Sequence, residues 1–159
     1  MKQAPTRKHK EEHIAIYTDG ACSGNQFSHN TGGWGAVLKY KDSTKEIYGG
    51  ERNTTNQRME IIACIKALEH MKTASIPIVI YSDSAYLVNS MNQQWYKKWK
   101  INGWKNVRKK PVENRDLWEQ LISLITKFRV RFQKVEGHKG VELNERADTL
   151  ARMGIDDLQ

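Results

Sequence analysis

Long apolar runs, cysteines and repeats are scarce in this chain of 159 residues, and each scarcity removes a class of protein. No apolar run approaches the ~18 residues that a helix needs to span a bilayer, so a membrane-spanning protein is excluded. The N-terminal stretch MKQAPTRKHKEEH is charged and has no apolar segment of the secretory kind, and it reads as a mobile basic tail. The only cysteines, Cys22 and Cys64, show neither a Cys-x-x-Cys spacing nor a neighbouring histidine pair, which removes a disulfide scaffold and a zinc site. A reducing, cytoplasmic setting is the expectation. With no internal repeat and no low-complexity linker, a chain of this length is expected to form one domain.

What is present is positive charge and aromatic bulk. Lys and Arg number 26 against 18 Asp and Glu, for a net charge of +8, and five Trp, six Tyr and three Phe are enough to build a core. IAIYTDG from Ile14 reads as a strand ended by a turn. The small, polar loop ACSGNQFSHNTGG follows it. GWGAVLKYK and TKEIYGGE read as a hairpin around Asp42 and Ser43, with Gly49 and Gly50 weakening its second strand. TTNQRMEIIACIKALEHMK is helical up to about Lys72, with Thr54 and Gln57 at capping-box spacing. Pro77 opens the β-branched run PIVIYSDS, and Ser84 caps a helix over AYLVNSM. Asn114 caps RDLWEQLISLIT, FRVRFQKVEG alternates as a strand, and a last helix covers about 142–153 with Gly154 as its stop. The order implies an α/β fold with a mixed sheet and helices on its faces.

Carboxylates stand in unusual places. Ile16-Tyr17-Thr18-Asp19 and Ile80-Tyr81-Ser82-Asp83 end alike, so if their strands run side by side both aspartates emerge together at one end of the sheet. Either one alone reads as a turn former. Glu60 has Ala63, Cys64 and Ala67 at +3, +4 and +7, which places it on an inward stripe where a carboxylate must be paired with Arg58 or a lysine, neutralised, or bound to a cation. Asp148 lies three residues after Glu145 and, alone, reads as a surface acid. Together the four would suit hard divalent cations, Mg²⁺ or Mn²⁺. Two such ions can cleave a phosphodiester, and His138 in the GHKG segment could move protons.

The segment WYKKWKINGWKNVRKKPVENRDLW, residues 95–118, holds eight Lys and Arg and two acids, and so carries six of the eight net positive charges. Trp95, Trp99, Trp104 and Trp118 are there as well. Trp95 and Trp99 share a helix face, with Lys97, Lys98 and Lys100 on the others. A tryptophan-anchored surface helix is one reading, and a phosphate-tracking nucleic-acid surface is the other.

In order and spacing, YTDGACSGN, TTNQRMEIIA, YSDSAYLVN, the basic segment and GHKGVELNERADTLA resemble bacterial type 1 ribonuclease H over residues 13–154. The resemblance implies a ribonuclease H-like fold: a five-stranded mixed sheet, three strands antiparallel and then two parallel, with helices on both faces and a basic helical protrusion at about 95–113. The catalytic domain would cover 13–155, between the tail at 1–12 and a terminal stretch at 156–159. It also implies endonucleolytic hydrolysis of the RNA strand of RNA/DNA hybrids, leaving 5′-phosphate and 3′-hydroxyl ends. Two Mg²⁺ ions would act once substrate is bound, with Mn²⁺ as a substitute. Asp19 would bridge them, Asp148 would complete the water-activating position, Glu60 and Asp83 would hold the leaving-group side, and His138 would be the mobile loop histidine. Cys22, Asn25, Asn56 and Gln57 would line the minor groove, where 2′-hydroxyls can be tested. Thr55 and Asn114 would hold a DNA phosphate, and Trp95 and Trp99, with Lys97, Lys98, Lys100 and Trp104 of the protrusion, would meet the DNA strand. The expectation is a monomer without an obligate protein partner. A separate N-terminal hybrid-binding domain like that of some relatives is not expected, and hybrid capture is expected to rest on the protrusion. Two alternatives share the architecture: a non-catalytic hybrid-binding module, and a transposase or integrase.

Overall fold

The computed structural model describes residues 12–24, 30–72, 75–136 and 142–159. Strands β1 (Ile14–Ser23), β2 (Thr31–Tyr40) and β3 (Ser43–Arg52) form an antiparallel meander, and β4 (Ile78–Ser82) and β5 (Val130–Lys134) add in parallel on the other side of β1. The sheet order is β3-β2-β1-β4-β5, the five-stranded mixed sheet expected from the sequence. Helices α1 (Asn56–Glu69), α2 (Ala85–Asn92), α3 (Trp95–Asn102), α4 (Arg115–Ile125) and α5 (Glu142–Asp156) complete the chain.

The helices divide between the two faces because side chains along a strand alternate. Ile16, Ile61, Ile65, Ile80, Trp118 and Leu121 belong to the larger core, built with α1 to α4. Val37, Ala147 and Leu150 form a smaller core under α5. Helix α5 comes unusually close to the sheet, since a Cβ at Gly35 would fall 2.6 Å from the Ala147 carbonyl oxygen. Helix α5 and the residues just after it are tied to β3 as well. Arg146 grips Glu46 with two hydrogen bonds of 2.6 and 2.9 Å, Tyr48 donates to Asp157, and Arg52 donates to the Leu158 carbonyl.

Several local expectations are corrected. β1 does not end at Asp19 but runs on to Ser23, because β2 continues to pair with it as far as Ser23↔Thr31. The hairpin turn is Lys41-Asp42, with Lys41 at φ 53, and Ser43 already belongs to β3. Gly49 and Gly50 do not weaken β3, which runs through both. They leave room for the Trp34 ring and for the Gly154 carbonyl. Gly154 therefore does not stop α5 but lies buried inside it, at a backbone contact. The cap of α1 is Thr55, whose hydroxyl accepts from the Arg58 amide, rather than Thr54, and α1 ends at Glu69 rather than near Lys72. Ser84 caps α2 as expected. Asn114 occupies the cap position of α4 at φ 62, but its side chain makes no cap hydrogen bond.

The protrusion is helical only over α3. Residues 103–112 form a loop closed by a Lys105–Pro111 bridge, with Asn106 Oδ1 accepting from the amides of Arg108 and Lys110. Its tryptophans brace it against the core: the Trp99 ring lies 5.7 Å from that of Trp104 and 5.4 Å from that of Trp118.

Candidate active site

The parallel ladder between β1 and β4 ends at Tyr17↔Tyr81, where the two rings stack at 4.5 Å. Two residues further along the chain stand Asp19, within β1, and Asp83, just past the end of β4. The matched strand ends thus bring both carboxylates to one level, although β1 itself continues. From the other direction α1 presents Glu60, one turn after its cap. Gly20 lets the helix approach, since a Cβ there would fall 2.6 Å from the Glu60 nitrogen. Its amide donates to Glu60 Oε1 at 3.2 Å and to Asp19 Oδ1 at 2.9 Å. Carboxylate oxygens of Asp19, Glu60 and Asp83 lie within 4.8 Å of one another.

Burial and the neighbouring carboxylates disfavour the charged forms of Asp19 and Glu60. Burial is the largest cause pushing the Asp19 carboxyl up to about 7; the Asp83 charge comes next, then a hydrogen bond with Asp148, while the Gly20 amide pulls the other way. Glu60, only 8% exposed, is raised well above the usual carboxylate range by burial first and by Asp19 and Asp83 next. Its Oε2 is buried without a hydrogen-bond partner. The ion pair with Arg58 is not made: Arg58 turns to Glu51 at 3.4 Å, to Asp116 at 3.5 Å and to Asn114 Oδ1 at 3.3 Å. Asp148 stands beside the trio on α5, in contact with Asp19 on one side and 3.2 Å from Arg152 on the other.

The residues expected to meet nucleic acid fall into two groups. Cys22, half-buried at the end of β1, lines a cavity with Ser23, Asp148, Arg152 and Gln159. Across the sheet, at the start of α1, Thr55 and Asn56 are exposed, and Gln57 Oε1 accepts from Asn114 Nδ2 at 2.7 Å. Asn25 and His138 lie outside the described residues. On the protrusion Lys97, Lys98 and Lys100 are exposed and Trp95 is half-buried. Trp99 and Trp104 are 5% and 6% exposed, and their rings pack the protrusion onto the core.

Sequence reasoning missed Gly20, Arg58 in its actual role and Arg152. Gly20 reads as a turn glycine because it follows an aspartate, and only the register shows α1 packed on it. A concavity of about 650 Å³ at the other end of the sheet, between His13, Val79 and Arg131, contains none of the acids.

What the carboxylate cluster can do is bind a cation. Closely spaced oxygen donors, one of them buried and unpartnered, match a hard divalent ion, and no thiol or imidazole belongs to the group.

The RNase H family model matches residues 11–156. The chain is 54% identical over 145 residues to the ribonuclease H of Chlorobaculum parvum and to that of Syntrophomonas wolfei, in each case covering 91% of this chain and 97% of the relative. Among solved structures it is similar to LC9-RNase H1, a type 1 RNase H with the type 2 active-site motif, at 29% identity and a TM-score of 0.80 over 93% of this chain and 74% of that one. LC11-RNase H1 in complex with RNA/DNA hybrid shares the fold at 24% identity, with a TM-score of 0.69 over 91% of this chain and 98% of that one.

Proposed function

The chain belongs to the ribonuclease H family and cleaves the RNA of RNA/DNA hybrids, and we propose that Asp19, Glu60, Asp83 and Asp148 carry that reaction by holding two Mg²⁺ ions. The observation that supports this reading most is the unpartnered, buried Glu60 Oε2 in a cluster where burial and neighbouring carboxylates drive Asp19 and Glu60 toward protonation. When bound, the ions would supply an activated water and charge stabilisation for the leaving oxygen.

The chain's own residues do the rest. Asp19 clusters with Glu60 and Asp83 and makes a hydrogen bond with Asp148, and it would help to hold both ions. Gly20 fixes the spacing of Asp19 and Glu60 through one shared amide. Thr55 and Asn114, both hydrogen-bonded to Arg58, would take a DNA phosphate, while Cys22, Asn25, Asn56 and Gln57 would read the minor groove. Lys97, Lys98 and Lys100 would follow the backbone along the protrusion, beside Trp95. His138 would assist proton movement or product release. The products would be 5′-phosphate and 3′-hydroxyl ends, Mn²⁺ would substitute for Mg²⁺, and the enzyme would act as a cytoplasmic monomer. No helix among the described residues is long and apolar enough to cross a membrane.

The test compares labelled RNA/DNA hybrid, RNA duplex and DNA duplex with and without Mg²⁺, for the wild-type protein and for Asp19→Asn. Mg²⁺-dependent cutting of the hybrid alone, abolished in Asp19→Asn with hybrid binding retained, is the expected result. Near wild-type cutting by Asp19→Asn would overturn the assignment of the site.

A further inference from the structure

The four acids are not equivalent in their surroundings. Asp19, Glu60 and Asp83 face one another within 4.8 Å, and Glu60 Oε2 has no partner. Asp148 is different, because its Oδ2 is 3.2 Å from an Arg152 nitrogen one helical turn further along α5. Both side chains are partly in solvent, 41% exposed for Asp148 and 70% for Arg152. Arg152 also lines the open cavity of about 530 Å³ that Cys22, Ser23 and Gln159 share with Asp148. Among the described residues it is the cation found in an ion pair with one of the four acids.

We propose that Arg152 is a positioning residue that acts as a counter-charge for Asp148 in the cation-free site and competes with the cation that Asp148 is to hold. The inference rests on the four-carboxylate reading above. Two opposing effects need weighing. By holding the Asp148 carboxylate in one rotamer, Arg152 preorganises a ligand, but an exposed i,i+4 pair contributes little. By placing a full positive charge against the same carboxylate, it opposes the arrival of a doubly charged ion, and that repulsion acts at contact distance. The second effect is the larger. The site therefore fills in order: the Asp19–Glu60–Asp83 side first, where a carboxylate oxygen waits unpartnered, and the Asp148 side second, after the guanidinium has been displaced. The cavity beside Arg152 gives the displaced side chain somewhere to go.

The test titrates Mg²⁺ into the full chain saturated with a non-cleavable RNA/DNA hybrid, with backbone amide NMR shifts as the readout. Amides around Asp148 on α5 report the second position and amides around Gly20 report the first. For Arg152→Ala the α5 amides should titrate at about threefold to tenfold lower Mg²⁺ concentration than in wild type, with the Gly20 midpoint unchanged. Arg152→Lys, which keeps the charge, should restore the wild-type α5 midpoint, and thermal melting of each variant confirms that it is folded. An α5 midpoint in Arg152→Ala equal to or higher than that of wild type would overturn this inference and leave the four-carboxylate site standing. No Mg²⁺-induced shift at either position in the wild-type protein would overturn that site and this inference with it.

Discussion

The amide of Gly20 is shared between Asp19 Oδ1 at 2.9 Å and Glu60 Oε1 at 3.2 Å, so a single backbone N–H sets the distance between a strand carboxylate and a helix carboxylate. The sharing depends on the missing side chain. A Cβ at this position would lie 2.6 Å from the Glu60 nitrogen and 2.8 Å from Met59 Cβ.

Gly20→Ala should therefore push α1 away from β1. Overpacking at a backbone contact costs about 1–3 kcal/mol, and a denaturant midpoint would show it. The loss of cleavage should exceed what the lower stability explains, because Asp19 and Glu60 separate. The rate measured well below the unfolding temperature, where the variant is fully folded, should fall by more than about tenfold, as a misplacement near 1 Å can cost a hundredfold. An unchanged rate in folded Gly20→Ala would show that the shared amide does not set the site.

A second consequence concerns pH. In the folded chain the Asp19 carboxyl is pushed up to about 7 from an ordinary 3.8, so between these values the folded state binds more protons than the unfolded one. Stability linked to Asp19 is fully present below about pH 4 and is lost as pH rises through 7, and Glu60 acts in the same direction. Glu46, lowered by Arg146, has the opposite sign, but it is exposed and its effect is confined to acid below its ordinary range. In EDTA the melting temperature of wild type should therefore fall between pH 5 and 8 relative to Asp19→Asn, and Mg²⁺ should reduce that fall. Parallel melting curves for the two proteins over this range would contradict the clustering of the acids.

The strands and the meeting of Asp19 with Asp83 were legible because they depend on alternation and on two like-ended strands, both local properties of the chain, whereas the five-stranded arrangement was implied only by the family resemblance. Glu60 was legible because its position on an apolar stripe is a conflict that the sequence itself displays. What it met was not legible. Arg58, two residues away and of the right charge, turns instead to Glu51 and Asp116, which tertiary packing brings to it. Glycines were misread for the same reason. Gly49, Gly50 and Gly154 look like breaks in a one-dimensional pattern, but in the fold each marks a backbone or ring contact across elements. The tryptophans of the protrusion presented two valid readings, and burial favours anchoring for Trp99 and Trp104, while Lys97, Lys98 and Lys100 stay in solvent.

Strand β5 ends the sheet, and one residue seals its outer edge. Asn92 at the end of α2 donates to the Phe132 carbonyl at 2.8 Å and accepts from the Phe132 amide at 3.3 Å, so its side-chain amide imitates a neighbouring strand. Asn92→Ala leaves both backbone groups unpartnered at an edge that could pair with another chain. A destabilisation of about 1–3 kcal/mol by chemical denaturation is expected, together with concentration-dependent association by light scattering, while cleavage per folded monomer is retained. Neither change appearing would mean that water replaces Asn92 at no cost.

The protrusion separates charge from packing, which allows its role to be tested without unfolding it. Lys97, Lys98 and Lys100 are exposed on α3, whereas Trp99 between them is buried against Trp104 and Trp118. Replacing the three lysines with glutamine should leave the melting temperature within a few degrees of wild type, because none of them contributes to the core. Hybrid affinity should weaken, and the slope of log affinity against log salt should become shallower by about 0.9 for each phosphate that is no longer neutralised, up to about 2.7 for all three. Trp99→Ala should do the reverse, costing about 3–5 kcal/mol of stability through the cavity it leaves, with the salt slope of the folded fraction preserved. An unchanged salt slope in the triple lysine variant would move the duplex footprint off the protrusion and onto the Thr55–Asn114 side of α1.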